Sequence, residues 1–135
     1  MELTCNVIHA KDFLKVKSSG EVDLEESKLV LGNIIEMTEL PGNYEILLDV
    51  RDAYGNLDEE DLWELVLELG RHRTRFKNKI AILAREDAQI NKAIFFELCA
   101  QIIGFNVSAF TNFEQAIEWI QSPGKAEAKR KEIDL

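Results

Sequence analysis

The sequence predicts an α/β domain built on a mostly parallel sheet, and three observations lead to this fold class. The stretch 44–69 is an apolar run, a short polar break and an amphipathic run, as expected of a buried strand, a turn and a covering helix. The segment 45–50 is almost continuously apolar, which is typical of a strand covered on both faces. Strands and helices then alternate along the chain, which favours parallel strands joined by helices.

Length, composition and charge limit the class of protein further. The chain has 135 residues, 46% of them hydrophobic and 30% charged, as expected of one globular domain. Its net charge of −9 disfavours nucleic acid as a partner, because phosphate binding needs a concentrated positive face. Neither a membrane-spanning run nor a signal peptide is visible, and Cys5 and Cys99 lie in apolar segments where reduced, buried thiols are expected. We therefore expect a soluble, cytoplasmic protein with no transmembrane segment.

Two short segments with strand character open the chain. Residues 3–10 are rich in β-branched residues, and residues 13–17 give a weaker version of the same pattern. The dipeptide 11–12 suits a tight turn, so we expect an antiparallel hairpin at the edge of the sheet. Lys15 and Lys17 would then face outward and discourage further pairing of that edge.

The remaining elements follow in the order helix, strand, helix, strand, helix, strand, helix. Asp23 and Asn112 each precede an acidic or amide residue three positions later, a pattern that indicates the start of a helix. We expect about five strands, with a parallel core and an antiparallel N-terminal edge hairpin, and four main helices. Residues 1–121 form a single domain and residues 122–135 a charged tail. The expected ranges after the hairpin are a helix from 23 to about 40 that ends at 41–43, a strand at 45–50, a helix at 58–74, a strand at 79–84, a helix at 87–103, a strand at 107–110 and a helix at 112–121.

Polar side chains follow three of the predicted strands. Arg51, Asp52 and Tyr54 come after the central strand, Arg85 after the next, and Asn112 after the last. Ligands of α/β domains bind beyond the carboxyl ends of the strands, so these five residues are candidates for contacting a small ligand or the loop of a partner. The alternative is structural: the charged groups pair with neighbours and the chain turns at Tyr54, because such rims are polar in most domains of this class.

No pattern in the sequence indicates catalysis, a metal site or a cofactor. His72 has no serine or cysteine nucleophile near it in sequence, and with His9 it is one of two histidines, too few for the usual zinc ligand spacings. Glycine-rich phosphate loops are missing, and the acidic run 58–61 at the start of the second helix would repel an anion. We expect a non-enzymatic protein without metal or cofactor.

Two helices carry more apolar residues than one buried face can hide. Trp63 and Leu67 lie off the main apolar stripe of the second helix, and the third helix, with Phe95 and Phe96, is apolar around most of its circumference. Such a helix must be covered by a neighbouring helix, a bound acyl chain or another subunit. We favour another subunit, so these four residues are the predicted interface of a homo-oligomer.

Short motifs along the chain resemble the SpoIIAA-like family of STAS domains. They are Asp49, Arg51 and Asp52 at the end of the apolar strand, Trp63, His72 and Arg73 in the next helix, Ile80-Ala81-Ile82 in the following strand, and Phe110, Ala116 and Trp119 near the end. The resemblance covers most of residues 3–121. It implies a small mixed sheet with helices, and a superfamily (STAS and CRAL-TRIO-like) whose members bind proteins, nucleotides or lipids.

The resemblance also implies a mode of regulation, from which this chain departs. STAS antagonists of anti-sigma factors are phosphorylated on a serine at the start of the helix after the central strand, whereas residues 51–62 contain no serine or threonine. We expect a regulatory or protein-interaction module without that phosphorylation site, which associates with itself and with an unknown protein partner. The alternative is a CRAL-TRIO-like binder of a lipid or small apolar ligand.

Overall fold

Strands and helices alternate along the described part of the chain. The structure, a computed structural model, describes residues 4–10, 13–38, 45–72 and 78–122. The turns expected at 11–12 and 41–43, and the predicted tail beyond residue 122, lie outside these ranges. The elements are β1 (Thr4–Ala10), β2 (Phe13–Glu21), α1 (Leu24–Thr38), β3 (Glu45–Tyr54), α2 (Glu59–Gly70), β4 (Ile80–Leu83), α3 (Ala88–Ile102), β5 (Val107–Phe110) and α4 (Phe113–Gln121).

The structure differs from the predicted fold class at the N-terminal side of the sheet. We expected an edge hairpin whose second strand covered residues 13–17, but β2 is nine residues long and pairs in parallel with β3, from Phe13 opposite Glu45 to Glu21 opposite Tyr54. β2, β3, β4 and β5 are therefore four strands, all parallel, in the order of the sequence.

β2 is consequently not an edge strand. β1 runs antiparallel along its other side, so the expectation that Lys15 and Lys17 protect an unpaired edge is wrong. The physical reason is the connection through α1, a helical crossover that brings β3 back parallel to β2. The edge-hairpin description is replaced by a four-stranded parallel sheet, with β1 as an antiparallel addition beside β2.

The sheet separates two apolar layers. Leu14, Ile46 and Ile80 point to the face covered by α1, α2 and α3, which holds the larger core. Phe13 and Leu47 point to the opposite face, covered by α4. Successive strand residues face opposite sides of a sheet, and a strand buried on both sides is apolar at nearly every position. This is why 45–50 carries so few polar residues.

Side-chain caps fix the start of α2. Asp58 accepts a hydrogen bond from the backbone N–H of Asp61 at 2.8 Å, and the Asp61 carboxylate accepts one from the N–H of Asp58 at 3.1 Å. This reciprocal arrangement satisfies two backbone donors that a helix start leaves free. α2 therefore begins at a defined position relative to the end of β3.

A buried lysine fastens α4 to the sheet. The Lys79 ammonium donates to the carbonyl oxygens of Trp119, at 3.0 Å, and of Ser122 at the end of α4. It also lies 5.3 Å from the centre of the Trp119 ring. Carbonyl groups at a helix end lack partners within the helix, and this single cation donates to two of them; the Trp119 oxygen also accepts from Ser122.

Candidate functional site at the carboxyl ends of the strands

A β-bulge interrupts β3 at the motif Asp49-Val50-Arg51-Asp52. Lys17 of β2 lies opposite Asp49, but Ser19 lies opposite Asp52, so β3 has one extra residue here. The Asp49 carboxylate accepts the backbone N–H of Arg51 at 3.0 Å, together with two guanidinium hydrogen bonds from the same residue at 3.0 and 2.9 Å. One carboxylate thus holds both the bulged backbone and the side chain that follows it.

The electrostatics of this pair follow from its burial. Asp49 is only 2% exposed, and burial alone raises the pKa of its carboxyl group. The hydrogen bonds and the charge of Arg51 outweigh that effect, so the pKa of Asp49 lies below its ordinary value. The same hydrogen bond raises the pKa of Arg51. Asp49 is therefore held as a carboxylate inside the fold.

The bulge changes which residues face the main core. Before it, Leu48 and Val50 point towards α1–α3; after it, Ala53 is the buried residue on that side. Asp52 points to the other face and forms an ion pair with Lys17 at 2.8 Å. Bulges often re-aim side chains next to functional sites, and this one turns the end of β3 towards the helices.

Arg85 and Gln89 bind the backbone of β3 beyond the point where β4 ends. Arg85 donates to the carbonyl oxygens of Arg51 and Ala53, the latter at 2.9 Å, and Gln89 donates to those of Val50, at 2.7 Å, and Ala53, at 3.1 Å. Gln89 also accepts the backbone N–H of Arg85 at 2.8 Å. β3 continues past the end of β4, and there these two side chains bind its backbone in place of a neighbouring strand.

Asp87 completes this connection at the start of α3. It accepts the N–H of Gln89 at 2.8 Å and the Arg85 guanidinium at 3.0 Å. Both hydrogen bonds lower the pKa of Asp87, and the one from Gln89 has the larger effect. The loop between β4 and α3 is thereby fixed against the end of β3.

The five predicted rim residues differ in what the structure does with them. Arg51 pairs with Asp49, Asp52 pairs with Lys17, and Arg85 holds the backbone of β3. Asn112 accepts the N–H of Gln115 at 3.0 Å and caps α4, as expected from its spacing to that residue.

Tyr54, the fifth of them, is 60% exposed. Four of the five thus have structural partners, and their binding role stays a prediction. The structure brings Tyr54 and Arg85 together in the lining of one cavity.

That cavity, of about 380 Å³, lies between the sheet and the helices α1, α2 and α3. Its walls are mostly apolar, with Leu31 from α1, Leu62 from α2 and Phe96 from α3, and the exposed Tyr54 shows that it reaches the surface at the rim. Ligand pockets in proteins occupy about 300–1,000 Å³. The cavity can therefore hold one small, mainly apolar molecule.

Sequence reasoning missed several polar residues that line this cavity, among them Ser18, Gln89 and Lys92. Ser18 lies just beyond the predicted strand segment 13–17, although it is a buried residue of β2. Gln89 and Lys92 stand three positions apart near the start of α3, a mostly apolar helix. That spacing places them on one helix face, and this is the sequence signal that could have identified them as a pair.

The predicted interface residues fall into two groups. Trp63 and Leu67 are exposed on α2. Phe95 is partly buried, and Phe96 belongs to the main core at 7% exposure, so it does not reach the surface. The exposed large apolar residues of α3 are instead Ile94, Leu98 and Ile102, at 40%, 54% and 77% exposure.

The described residues provide neither a metal-ligand cluster nor a helix that could span a membrane. Within residues 4–10, 13–38, 45–72 and 78–122, no three histidine, cysteine or acidic side chains form a group that could hold a metal ion. Among the helices described, none has the length and apolar character needed to cross a membrane.

The parallel sheet, with three helices on one face and α4 on the other, defines an α/β domain of the STAS type. Residues 13–121 match the family model described as SpoIIAA-like, and the chain belongs to this family. The predicted resemblance is therefore confirmed. Among curated proteins, none matches the sequence.

Two solved structures show the same fold. One is an uncharacterised protein of the DUF3478 family with a SpoIIAA-like fold from Shewanella loihica, with a TM-score of 0.54 and 20% identity over 87% of this chain and 93% of that one. The other is an anti-sigma factor antagonist from Mycobacterium paratuberculosis, with a TM-score of 0.58 and 13% identity over 90% of this chain and 96% of that one. At these identities the similarity concerns the fold.

Proposed function

We propose that this protein is a non-enzymatic regulatory module of the cytoplasm that binds a protein partner and associates with a second copy of itself. The observation that carries the proposal is an apolar strip on the outer surface of α2 and α3, made of Trp63, Leu67, Leu98 and Ile102. All four side chains are exposed and none is charged. Exposed apolar patches mark interaction surfaces, and the centres of such surfaces are depleted of charge.

The four residues of the apolar strip lie on adjoining flanks of the two helices. On α2, Glu64 forms an ion pair with Lys28 of α1 and so marks the flank that faces α1. Trp63, Leu67 and Gly70 lie on the opposite flank of α2. A Cβ added to Gly70 would lie 3.4 Å from the Cδ1 of Ile103, next to α3, so this flank is the one near α3. α2 packs against α3, so the exposed residues of both helices border one surface.

Self-association is tested by sedimentation across a wide range of protein concentration. We expect a dimer that dissociates on dilution, and a Leu98→Ser/Ile102→Ser variant that stays monomeric with an unchanged melting temperature. Leu29→Ser is the matched control, because Leu29 is equally apolar and exposed but lies on α1. A monomer at every micromolar concentration refutes self-association, and so does equal dissociation of the control.

Regulation of this module does not use phosphorylation after the central strand. Supporting this part of the proposal, residues 51–62 offer no serine or threonine, and Asp58 already caps α2. Acidic side chains in the first turn, Glu59 and Glu60, add charge that would repel a phosphate. Mass spectrometry of protein isolated from its native host is expected to find peptide 51–62 unmodified; a phosphate there refutes this.

A second function is favoured by the cavity: binding of a lipid or small apolar ligand between the helices and the sheet. A wall of apolar side chains with an opening at the rim is the environment that such ligands occupy. Native mass spectrometry of the freshly purified protein is expected to show a bound mass that organic solvent extracts. A spectrum of the bare chain under mild desorption counts against this function.

A further inference from the structure

Lys92 adds a positive charge to a mostly apolar cavity, whose lining also includes the paired Arg85 and Asp87. It lies on α3 next to Ala93 and four positions before Phe96, and all three line the cavity. Within the described part of the chain no ion pair of Lys92 is found. Arg85, the other cation of the lining, is occupied by Asp87 and by carbonyl groups of β3. Lys92 is therefore the cation that has a charge to offer a ligand.

We propose that the cavity binds a free, single-chain carboxylate amphiphile, with its carboxylate at Lys92 and its chain among the apolar side chains. This inference rests on the second function proposed above and adds the chemical class and orientation of the ligand. A carboxylate gains a charge-assisted hydrogen bond from Lys92, which a neutral head group does not. A cationic head would be repelled.

The size of the cavity selects one chain over two. Its volume of about 380 Å³ is near the lower end of the range for ligand pockets. Leu31, Leu62 and Phe96 each come from a different helix, so the apolar wall surrounds the ligand on the side away from the sheet. A volume this near the lower end matches one chain better than the two chains of a membrane lipid.

Calorimetric titration with dodecanoate and with dodecanol, both below their aggregation concentrations, tests the head group. We expect one dodecanoate per chain, bound more tightly than dodecanol. Lys92→Gln is expected to weaken dodecanoate binding about tenfold, as for one charge-assisted hydrogen bond, and to leave dodecanol binding unchanged. Arg71→Gln is the matched control, because it removes the same charge from an exposed residue outside the cavity.

A second pair of variants tests the place of binding. Ala93→Leu and Ala53→Leu add volume from α3 and from β3, on two walls of the cavity. Each is expected to abolish dodecanoate binding in protein that circular dichroism shows to be folded. Having two variants keeps the test open if one of them fails to fold.

The outcomes separate the two levels of the proposal. Equal affinity for dodecanoate and dodecanol, or equal losses in Lys92→Gln and Arg71→Gln, overturns the carboxylate inference and leaves the apolar-ligand function standing. Unchanged binding in a folded cavity-filling variant overturns the site. Binding of neither compound overturns the inference together with the apolar-ligand function, whereas the protein-partner function depends on a different surface.

Discussion

Replacing Asp49 is expected to cost far more stability than replacing Asp52, three residues away. Both aspartates contact a cation, at 2.9 Å to Arg51 and 2.8 Å to Lys17, but Asp49 is almost fully buried and Asp52 is exposed. Asp49→Ala removes three hydrogen bonds to a carboxylate and leaves the N–H of the bulge without its acceptor. The half-exposed guanidinium can still turn to water, so we expect a loss of about 2–3 kcal/mol, below the full cost of breaking a buried pair.

Urea denaturation measures this difference directly. A loss of that size moves the unfolding midpoint by about 1 M or more, whereas Asp52→Ala should leave it within experimental error. Because the pKa of Asp49 is lowered in the folded state, its stabilisation is present above the unfolded pKa of about 3.9 and is lost as the pH falls through the folded value. The difference in unfolding free energy between the wild type and Asp49→Asn should thus narrow only below about pH 4. Equal effects of the two alanine substitutions would contradict this account.

Three further predictions concern stability measured in the same way. Lys79→Met keeps the apolar stem but removes the ammonium that holds the end of α4, and should cost about 1–3 kcal/mol; an unchanged midpoint would show that this cap is not needed. Gly55→Ala should cost about 1–3 kcal/mol, because the added Cβ would overlap the carbonyl oxygen of Val22. Gly32→Ala should instead stabilise the protein by about 0.5–1 kcal/mol, because Gly32 lies in the middle of α1 with open space around it. Changes of the same sign in both variants would contradict this reasoning. Gln89→Leu should cost about 1–2 kcal/mol, since two carbonyl groups of β3 lose a donor; no loss would mean that water replaces the amide freely.

The sequence predicted the features that depend on local chemistry. Asp23 and Asn112 each accept a backbone N–H from the residue three positions later, as their spacing indicated. The almost continuous apolar run 45–50 correctly indicated a strand with helices on both sides, since Ile46 lies in one apolar layer and Leu47 in the other. Each of these signals lies within a few residues of chain, so no knowledge of the rest of the molecule is needed to interpret it.

Features that depend on distant partners were not predictable in this way. Ser18, Ser19 and Gly20 have the composition of a loop, yet they belong to β2 because they pair with the end of β3. Tertiary pairing of this kind overrides local strand propensity. The roles of Gln89 and Lys92 likewise depend on a cavity whose walls come from separate parts of the chain. Neither residue carries a motif of its own.

The extra residue in β3 makes the length of this segment more restrictive than its composition. Deleting Val50 would restore regular alternation, so that Ala53 would leave the cavity wall and the backbone carbonyl groups would turn away from Arg85 and Gln89. A substitution here disturbs one contact, whereas a deletion moves every later side chain of β3 to the opposite face of the sheet. When this domain is redesigned or grafted, the number of residues between Asp49 and Tyr54 should be kept before any of their identities.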